Sequence, residues 1–431
     1  MTLRLSASDS DFEDRFTALV EARRGTDEDV ARDVAAIIAD VKARGDKAVA
    51  EYTKRFDGFD LVEGGWQVAK QRSCMALDGL DPALREALAL AAQRIAAYHE
   101  AQRPADSDIT DEAGVRMGAR WSAVETAGLY VPGGRAVYPS SLLMNAIPAR
   151  VAGVERVIMV TPARGGQVDP LILAAAEIAG IDEIYAIGGA QAIAALAFGT
   201  DAIPRADVIV GPGNAWVAEA KRQLYGTVGI DMVAGPSEIL VIADKDNDPQ
   251  WIAADLLSQA EHDPTSQSIL FADDDAFADA VAEAVEAQLG MLQTGETARA
   301  SWEANGAIIL VESLEDAVPL SNRLAPEHLE LAVADPEALF AGVKHAGSVF
   351  LGRTTPEAIG DYVGGPNHVL PTGRRARFSS GLSVLDFMKR TSFLQCDDAA
   401  LGTIGPAAVR LAEAEGLPAH AQSVAMRLPQ R

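Results

Sequence analysis

Hydrophobic positions in the first hundred residues recur at the spacing of amphipathic helices. One series consists of Val30, Val34, Ile37, Ile38 and Val41. A second series begins at Asp81-Pro82 and places Leu84, Leu88, Ile95 and Tyr98 on one face. Apolar residues three and four positions apart are typical of helices, and proline suits the first helical position. We therefore predict two long helices in this region, with His99 exposed at the end of the second.

The pattern changes near residue 127 to short apolar runs, each followed by a Gly/Pro turn and a helical stretch. The runs cover residues 157–160, 184–187 and 208–210. Strands that alternate with helices in this way favour a parallel sheet with crossover helices. Residues 127–236 are therefore predicted to form an α/β module of the nucleotide-binding type.

The same alternation resumes after Pro236. Apolar runs at 239–242, 269–271, 308–311 and 349–351 are predicted strands of a second α/β module that ends near residue 370. The residues from about Phe378 onward are predicted to be helical. A segment of some fifty residues is too short for a core of its own, so it must pack on this chain or on a partner chain.

Composition fits a globular protein and excludes several classes of function. Hydrophobic residues make up 48% of the chain, charged residues make up 23%, and the formal net charge is −25. This balance argues against extensive disorder, and the lack of a Lys/Arg cluster argues against a nucleic-acid partner.

The cysteines and the apolar runs predict a cytoplasmic protein. Cys74 and Cys396 are the two cysteines and lie far apart, which excludes a disulfide framework. Each is interpreted as a small buried hydrophobe, with a catalytic thiol as the alternative. No apolar run reaches the roughly 20 residues that span a membrane, and the N-terminus lacks the apolar core of a signal peptide.

Three glycine-rich loops precede or follow the predicted strands of the first module. They are GLYVPGG at 128–134, GGAQA at 188–192 and GPGN at 211–214. Glycine lets backbone approach a ligand closely, and helix N-termini present N–H donors that suit a dinucleotide pyrophosphate. None of the loops carries the full G-x-G-x-x-G pattern, so these loops predict either cofactor binding or ordinary turns.

Two polar pairs in the second module are candidates for chemistry. Gln259 and His262 stand three positions apart on a predicted helix, which puts both side chains on one face, as ligands of one ion or as a solvated helix end. Glu327-His328 follows Pro326 and fits either two proton-transfer groups or a proline-initiated helix cap.

Further polar residues stand near the end of the chain. Asp361 precedes the loop GGPNHVLPT at 364–372, in which His368 is either a ligand or, as its sequence context favours, part of a rigid structural turn. His345 and His420 are interpreted as surface residues from their local sequence. Gln259, His262, Asp361 and His420 together form a mixed nitrogen and oxygen set that suits zinc, although their spacing does not show that they converge.

Eight segments together resemble the histidinol dehydrogenase family. In order they are GLYVPGG, GGAQAIAALAFGT, ADVIVGPGN, DMVAGPSE, SQAEHDP, APEHLEL, GPNHVLPT and EGLPAH, and they extend over nearly the whole chain. The resemblance implies oxidation of L-histidinol through bound L-histidinal to L-histidine, with two NAD and one water. It also implies a homodimer in which the C-terminal tail of each chain reaches into the active site of its partner.

The resemblance assigns roles to residues that match the family motifs. Zinc ligands are implied at Gln259, His262, Asp361 and His420. The zinc is implied to hold the imidazole and amine of the substrate. Glu327 and His328 are implied as the acid/base groups. Substrate contacts are implied for Ser237, Gln259, His262, His328, Asp361, Glu415 and His420. Contacts with NAD are implied for Tyr130, Gln191 and Asn214.

The predicted fold class is α/β, with two incomplete Rossmann-like modules of parallel sheet and helical arms at both termini. Residues 1–24 form the N-terminal arm, and residues 25–126 with 237–377 form the domain that carries zinc and the catalytic residues. Residues 127–236 form the NAD-binding domain. Residues 378–431 form a tail that dimerises and completes the active site.

One segment departs from the family pattern. After GPNHVLPT the chain continues Gly373-Arg374-Arg375-Ala376-Arg377-Phe378, where many members carry a less basic stretch with Tyr and Gly. Two other functions stay open from the sequence. One is a related zinc- and NAD-dependent dehydrogenase for another polar alcohol, and the other is a zinc hydrolase that binds no nicotinamide.

Overall fold

The computed structural model describes residues 2–22, 28–133, 137–233 and 235–428. Its first elements are β1 (Leu3–Ser6), α1 (Phe12–Glu21), α2 (Glu28–Arg44), α3 (Asp46–Asp57), α4 (Leu61–Gly64), α5 (Lys70–Asp78) and α6 (Pro82–Glu100). The two long helices expected from apolar spacing are α2 and α6. The carboxylate of Asp81 caps α6 by accepting a hydrogen bond from the Leu84 amide at 3.1 Å.

The middle of the chain forms a five-stranded parallel sheet. The elements in this part of the chain are β2 (Ser107–Thr110), β3 (Arg116–Ala123), β4 (Thr126–Tyr130), α7 (Pro139–Ala152), β5 (Arg156–Val160), α8 (Pro170–Ile178), β6 (Glu183–Tyr185), α9 (Gly189–Phe198), β7 (Val208–Val210), α10 (Ala215–Leu224) and β8 (Gly229–Ile230). Strands β4 to β8 form the five-stranded sheet. The strand order is β6-β5-β4-β7-β8. The chain therefore reverses its direction of travel between β4 and β7, which creates a topological switch point.

The second module is a six-stranded sheet. Its elements are β9 (Glu238–Ala243), α11 (Pro249–Ala260), β10 (Gln267–Ala272), α12 (Asp275–Leu289), α13 (Gly295–Asn305), β11 (Ala307–Leu310), α14 (Leu314–Leu324), β12 (His328–Ala332), α15 (Pro336–Phe340), β13 (Ser348–Leu351) and α16 (Glu357–Tyr362). The order is β1-β11-β10-β9-β12-β13, and all pairs are parallel. The prediction of an α/β fold with parallel sheets is confirmed.

Both chain ends differ from the predicted helical arms. At the N-terminus, β1 pairs with β11 and extends the six-stranded sheet, while Phe12 and Phe16 of α1 pack into its core. At the C-terminus, β14 (Met388–Gln395) pairs antiparallel with β3 before α17 (Asp398–Ala414) and α18 (Pro418–Ala425). Each end therefore contributes a strand as well as helices, because its backbone completes an otherwise open sheet edge.

The helices between residues 28 and 100 pack on the five-stranded sheet. Val34 and Ile37 of α2 share a core with Ile193 of α9, and Leu88 and Ile95 of α6 share one with the opposite face of that sheet. These contacts place residues 28–100 beside the five-stranded module. The apolar faces of these helices are buried against the module that we expected to bind NAD.

The predicted exposure of His99 is wrong. Its side chain is fully buried on the face of α6 that also carries Ile95, and Nδ1 lies 2.7 Å from the Ile95 carbonyl oxygen. Nε2 lies 3.3 Å from the side-chain amide of Asn367, which also donates to the Met144 carbonyl at 2.6 Å. Helical spacing of four from Ile95 was the signal for this burial. His99 therefore links α6 to the loop that contains His368.

The two cysteines are free thiols. Cys74 is exposed and Cys396 is half-buried, so the interpretation of Cys74 as a buried hydrophobe is wrong. Among the described residues, none of the helices is long and apolar enough to cross a membrane.

We predict that His99 makes the fold sensitive to acid. Burial lowers the pKa of its imidazole in the folded chain, so unfolding takes up a proton in the range between that value and about 6.5, the ordinary pKa of histidine. The stability contributed by neutral His99 is present above about pH 6.5 and is lost as the pH falls. In thermal unfolding between pH 7.5 and 5.5, His99→Gln is expected to lose less of its melting temperature than the wild type. Equal losses in the two proteins would contradict this role.

Candidate active site

A pocket of about 310 Å³ lies where the two α/β modules meet, and we term it the junction pocket. The five-stranded module contributes Ser141, Lys221 and Asp231 to its wall, and the six-stranded module contributes most of the other polar side chains. Six of the residues singled out from the sequence line it: Ser237, Gln259, His262, Glu327, His328 and Asp361. They come from the start of β9, the end of α11, the start of β12 and α16.

Glu327 and His328 occupy the start of a strand and not a helix cap. Pro326 suggested a helix, but Ala325 adopts a left-handed conformation that ends α14, and His328 then pairs with Ile239 of β9. Both side chains are only 5% exposed. The site therefore lies at the amino end of β12, where the neighbouring strand β9 offers backbone groups.

Glu238, the first residue of β9, supports both members of this pair through its backbone. Its amide donates to Oε2 of Glu327 at 2.9 Å, and its carbonyl oxygen lies 3.1 Å from Nδ1 of His328. A carbonyl oxygen only accepts hydrogen bonds, so Nδ1 carries the proton of the imidazole. The lone pair is then on Nε2, which is buried and has no hydrogen-bond partner among the described residues.

The surroundings keep His328 neutral. Burial lowers the pKa of its imidazole to about 3, an effect that the bond to the Glu238 carbonyl partly opposes, and the nearby His368 and His262 lower it further. Oε1 of Glu357 lies 3.0 Å from Nδ1, so a carboxyl group also faces the imidazole. A buried, neutral and oriented imidazole is suited to accept a proton at Nε2.

Carboxyl groups crowd the wall beside His328. Glu357 and Asp361 stand four positions apart on α16 and therefore share a face. Burial raises the pKa of Asp361 to about 6, and burial together with the charges of Asp361 and Glu327 raises the pKa of Glu357. Ligand atoms of His328, Glu357 and Asp361 lie within 4.8 Å of one another. Such mutual repulsion between buried carboxylates is relieved by protons or by a cation.

Two of the other predicted ligands face the same space. Gln259 is almost fully buried in the last turn of α11, and its side-chain oxygen has no hydrogen-bond partner among the described residues. His262 stands two residues beyond the end of α11, exposed at the mouth of the pocket. Partial desolvation by the protein lowers the pKa of its imidazole, which keeps it available as a neutral ligand.

His368 belongs to the pocket, although its sequence context favoured a structural turn over a ligand. Its Nδ1 lies 2.9 Å from the Asp361 carbonyl oxygen and 3.6 Å from the Asp361 carboxylate. Its Nε2 lies 3.3 Å from the Ser141 hydroxyl, and burial lowers its pKa to about 4. The Asn-His-Val-Leu-Pro context gave no sign of this role, because the loop is folded back onto α16.

The last predicted ligand does not reach the pocket of its own chain. Glu415 follows α17 and His420 lies in α18, where both are exposed. The structure therefore brings Gln259, His262 and Asp361 to one pocket and leaves His420 outside it.

A second pocket of about 610 Å³ lies at the carboxyl ends of β4 and β7, and we term it the switch-point crevice. Tyr130, Gln191 and Asn214 all line it. The hydroxyl of Tyr130 accepts a hydrogen bond from the Gly189 amide at 3.2 Å, and the side chain of Asn214 caps α10. Glycine is required at 189 because its φ is +66°. Pro132 lines both pockets, so the crevice adjoins the junction pocket.

A buried ion pair fixes the loop between the two pockets. Lys221 and Asp231 form a salt bridge, and both side chains are at most 2% exposed. Lys221 also donates to the Gly211 carbonyl at 3.0 Å, and Asp231 accepts from the Gly211 amide at 2.8 Å. Sequence reasoning missed this pair because charged residues are normally expected on the solvent face of a helix.

Comparisons with known proteins agree over the whole chain. A model of the family described as histidinol dehydrogenase matches residues 20–428. Histidinol dehydrogenase of Zymomonas mobilis is 66% identical over 99% of this chain and 100% of its own length. That of Rhodospirillum rubrum is 61% identical over 99% of both.

A solved structure gives the same result. The crystal structure of histidinol dehydrogenase from Elizabethkingia anophelis matches with a TM-score of 0.93 and 37% identity, over 99% of this chain and 98% of that chain. The chain therefore belongs to the histidinol dehydrogenase family, oxidoreductases of histidine biosynthesis.

Proposed function

We propose that the chain oxidises L-histidinol to L-histidine through bound L-histidinal, using two NAD and one water, in the cytoplasm. The observation that carries this proposal is the neutral imidazole of His328, whose unpartnered Nε2 is buried in a pocket that adjoins the switch-point crevice. An alcohol oxidation needs a base at the hydroxyl and a hydride acceptor beside it. The two adjoining pockets provide room for both.

His328 acts on the alcohol. Its Nε2 removes the hydroxyl proton as the carbon–hydrogen bond breaks, and Nδ1 stays bonded to the Glu238 carbonyl. Tyr130, Gln191 and Asn214 in the crevice would hold NAD, which would supply the hydride acceptor. Because His328 starts neutral, it is competent as a base without a prior proton loss.

Glu327 acts on the aldehyde. It removes a proton from the water that adds to the carbonyl carbon, and the hydrate then undergoes the second oxidation. The Glu238 amide that donates to Oε2 of Glu327 favours the ionised carboxylate, which is the form that a base needs. Glu327 and His328 both line the junction pocket, so they present two bases to one bound substrate.

Gln259, His262 and Asp361 fit a zinc site. The unpartnered oxygen of Gln259 and the raised pKa of Asp361 both fit a site that binds a cation. With His420 of a partner chain the donor set is two imidazoles, one amide and one carboxylate, which suits zinc. Bound zinc supplies the Lewis acid that holds the imidazole and amine of the substrate.

The tail supports a homodimer with tail exchange. Large apolar side chains are exposed along it, among them Phe378, Leu394, Leu411 and Met426. Helices α17 and α18 pack on each other, and few of their residues are buried in the single chain: Ala400, Gly405 and Ala421. A partner chain that covers this surface brings Glu415 and His420 toward a second pocket.

We predict that the two bases divide the reaction. His328→Ala is expected to lower the oxidation of histidinol by about 10²- to 10⁴-fold, the usual contribution of a general base, while supplied histidinal is still converted. Glu327→Ala is expected to lower the conversion of histidinal to histidine by a similar factor. Stopped-flow absorbance of NADH with each substrate separates the steps, and His345→Ala, outside both pockets, is the control. Equal loss of both steps in each variant would contradict the division.

We predict that Gln259→Ala lowers the affinity for zinc. The expected loss is larger than the factor of about 10 to 100 that is typical when a residue contacting a metal ligand is changed. The measurement is competition for zinc with a chromogenic chelator. Ser258→Ala is the matched control, because the neighbouring hydroxyl donates to the Asp255 carbonyl and does not line the pocket. If Gln259→Ala retains the wild-type affinity, the assigned ligand set is wrong.

We predict that two inactive variants restore activity when they are refolded together. His328→Ala homodimers lack the base in both sites, and His420→Ala homodimers lack the tail ligand in both. If tails are exchanged, a mixed dimer has one intact site, so a 1:1 mixture should recover about one quarter of wild-type turnover. A tail that folds onto its own chain leaves every site of the mixture defective, and no recovery would then be seen.

A further inference from the structure

The basic turn after the GPNHVLPT loop reaches the support of the proton-transfer pair. Arg374 has a left-handed backbone, with φ of 68°, and its side chain is largely buried. One guanidinium nitrogen lies 3.2 Å from Oε2 of Glu238, and the other donates to Oε1 of Gln267 at 2.7 Å. A non-glycine residue in this conformation carries a backbone cost, which persists only where the surroundings fix it.

The two partners of Arg374 are the first residues of neighbouring strands. Glu238 begins β9, Gln267 begins β10, and the two are opposite each other in the sheet. The Glu238 carboxylate is 2% exposed, so its charge depends on a partner that is also protected from water. The guanidinium group of Arg374 therefore contacts side chains at the amino ends of both strands.

The residues on either side of Arg374 hold the segment that leads into β9. The hydroxyl of Thr372 accepts a hydrogen bond from the Gly235 amide at 2.5 Å, and the guanidinium of Arg375 donates to the Val233 carbonyl oxygen. The turn 372–375 thus contacts this segment at several points up to Glu238. The backbone of Glu238 in turn holds Oε2 of Glu327 and Nδ1 of His328.

We infer that Arg374 is a positioning residue for Glu327 and His328, acting through Glu238. This inference rests on the roles proposed above for the two bases. Arg374 lines neither pocket, so it acts on the reaction without contacting substrate or NAD. Loss of the guanidinium removes a positive charge 3.2 Å from a buried carboxylate, which favours movement of the first residue of β9.

Arg374→Gln tests the inference, since it removes the charge and the fork but keeps a polar side chain. A misplacement of about 1 Å is enough to cost on the order of 100-fold in rate, and we expect a fall of that order in kcat with little change in KM for histidinol. Arg377→Gln is the matched control, because Arg377 is exposed and donates to the Arg323 carbonyl only. It is expected to keep the wild-type kcat.

The double variant Glu238→Gln/Arg374→Gln distinguishes positioning from general destabilisation. Removing the carboxylate charge together with the guanidinium charge restores the local charge balance, so kcat is expected to recover most of the loss seen in Arg374→Gln. Additive losses, or a lowered melting temperature with unchanged kcat, would overturn the inference, as would a rise in KM alone. Wild-type protein that forms no NADH from histidinol would instead refute the proposed function.

Discussion

The cost of burying ionisable groups governs the architecture where the two sheets meet. Glu327, His328 and Glu357 are each at most 5% exposed, and Asp361 is close to them. Burial penalises every charged form, so each group needs a hydrogen-bond donor, an acceptor or a counter-charge at a fixed position. Backbone groups at a strand end provide this without further charges. The amide and carbonyl of one residue, Glu238, satisfy Glu327 and His328 together.

The pocket residues of the two sheets lie at opposite strand ends. In the five-stranded sheet, the switch-point crevice follows the usual rule for open α/β sheets and lies at the carboxyl ends of β4 and β7. In the six-stranded sheet, the polar side chains lie at the amino ends of β9 and β12. The two ends face each other across Pro132 and the loop that the Lys221–Asp231 pair holds. Residues of both modules line the junction pocket, so its geometry depends on how the two sheets are placed relative to each other.

Local sequence pattern predicted the strands better than the site. Short apolar runs identified most buried strands, since β-branched residues between turns leave few alternatives. They missed β12, whose sequence His-Leu-Glu-Leu-Ala contains two ionisable residues that are nevertheless buried. The convergence of α11, β12 and α16 is a tertiary property that spacing does not contain. The eight family segments, and not periodicity, supplied the site residues. Lys221 and Arg374 lie outside these segments, and Asp231 and His368 lie inside them without an assigned role, because the role of each depends on a contact distant in sequence.

The exposure of the C-terminal tail is related to the same cost of burying ionisable groups. A site with only Gln259, His262 and Asp361 is open to water on the side of His262, which is exposed at the pocket mouth. Water at that position competes with substrate nitrogens and weakens every electrostatic interaction inside. In the proposed dimer the tail of the partner adds a ligand and excludes solvent in one step. Dimerisation then has two effects on the reaction, completion of the donor set and desolvation of the pocket, and both depend on α18 being unattached to its own core.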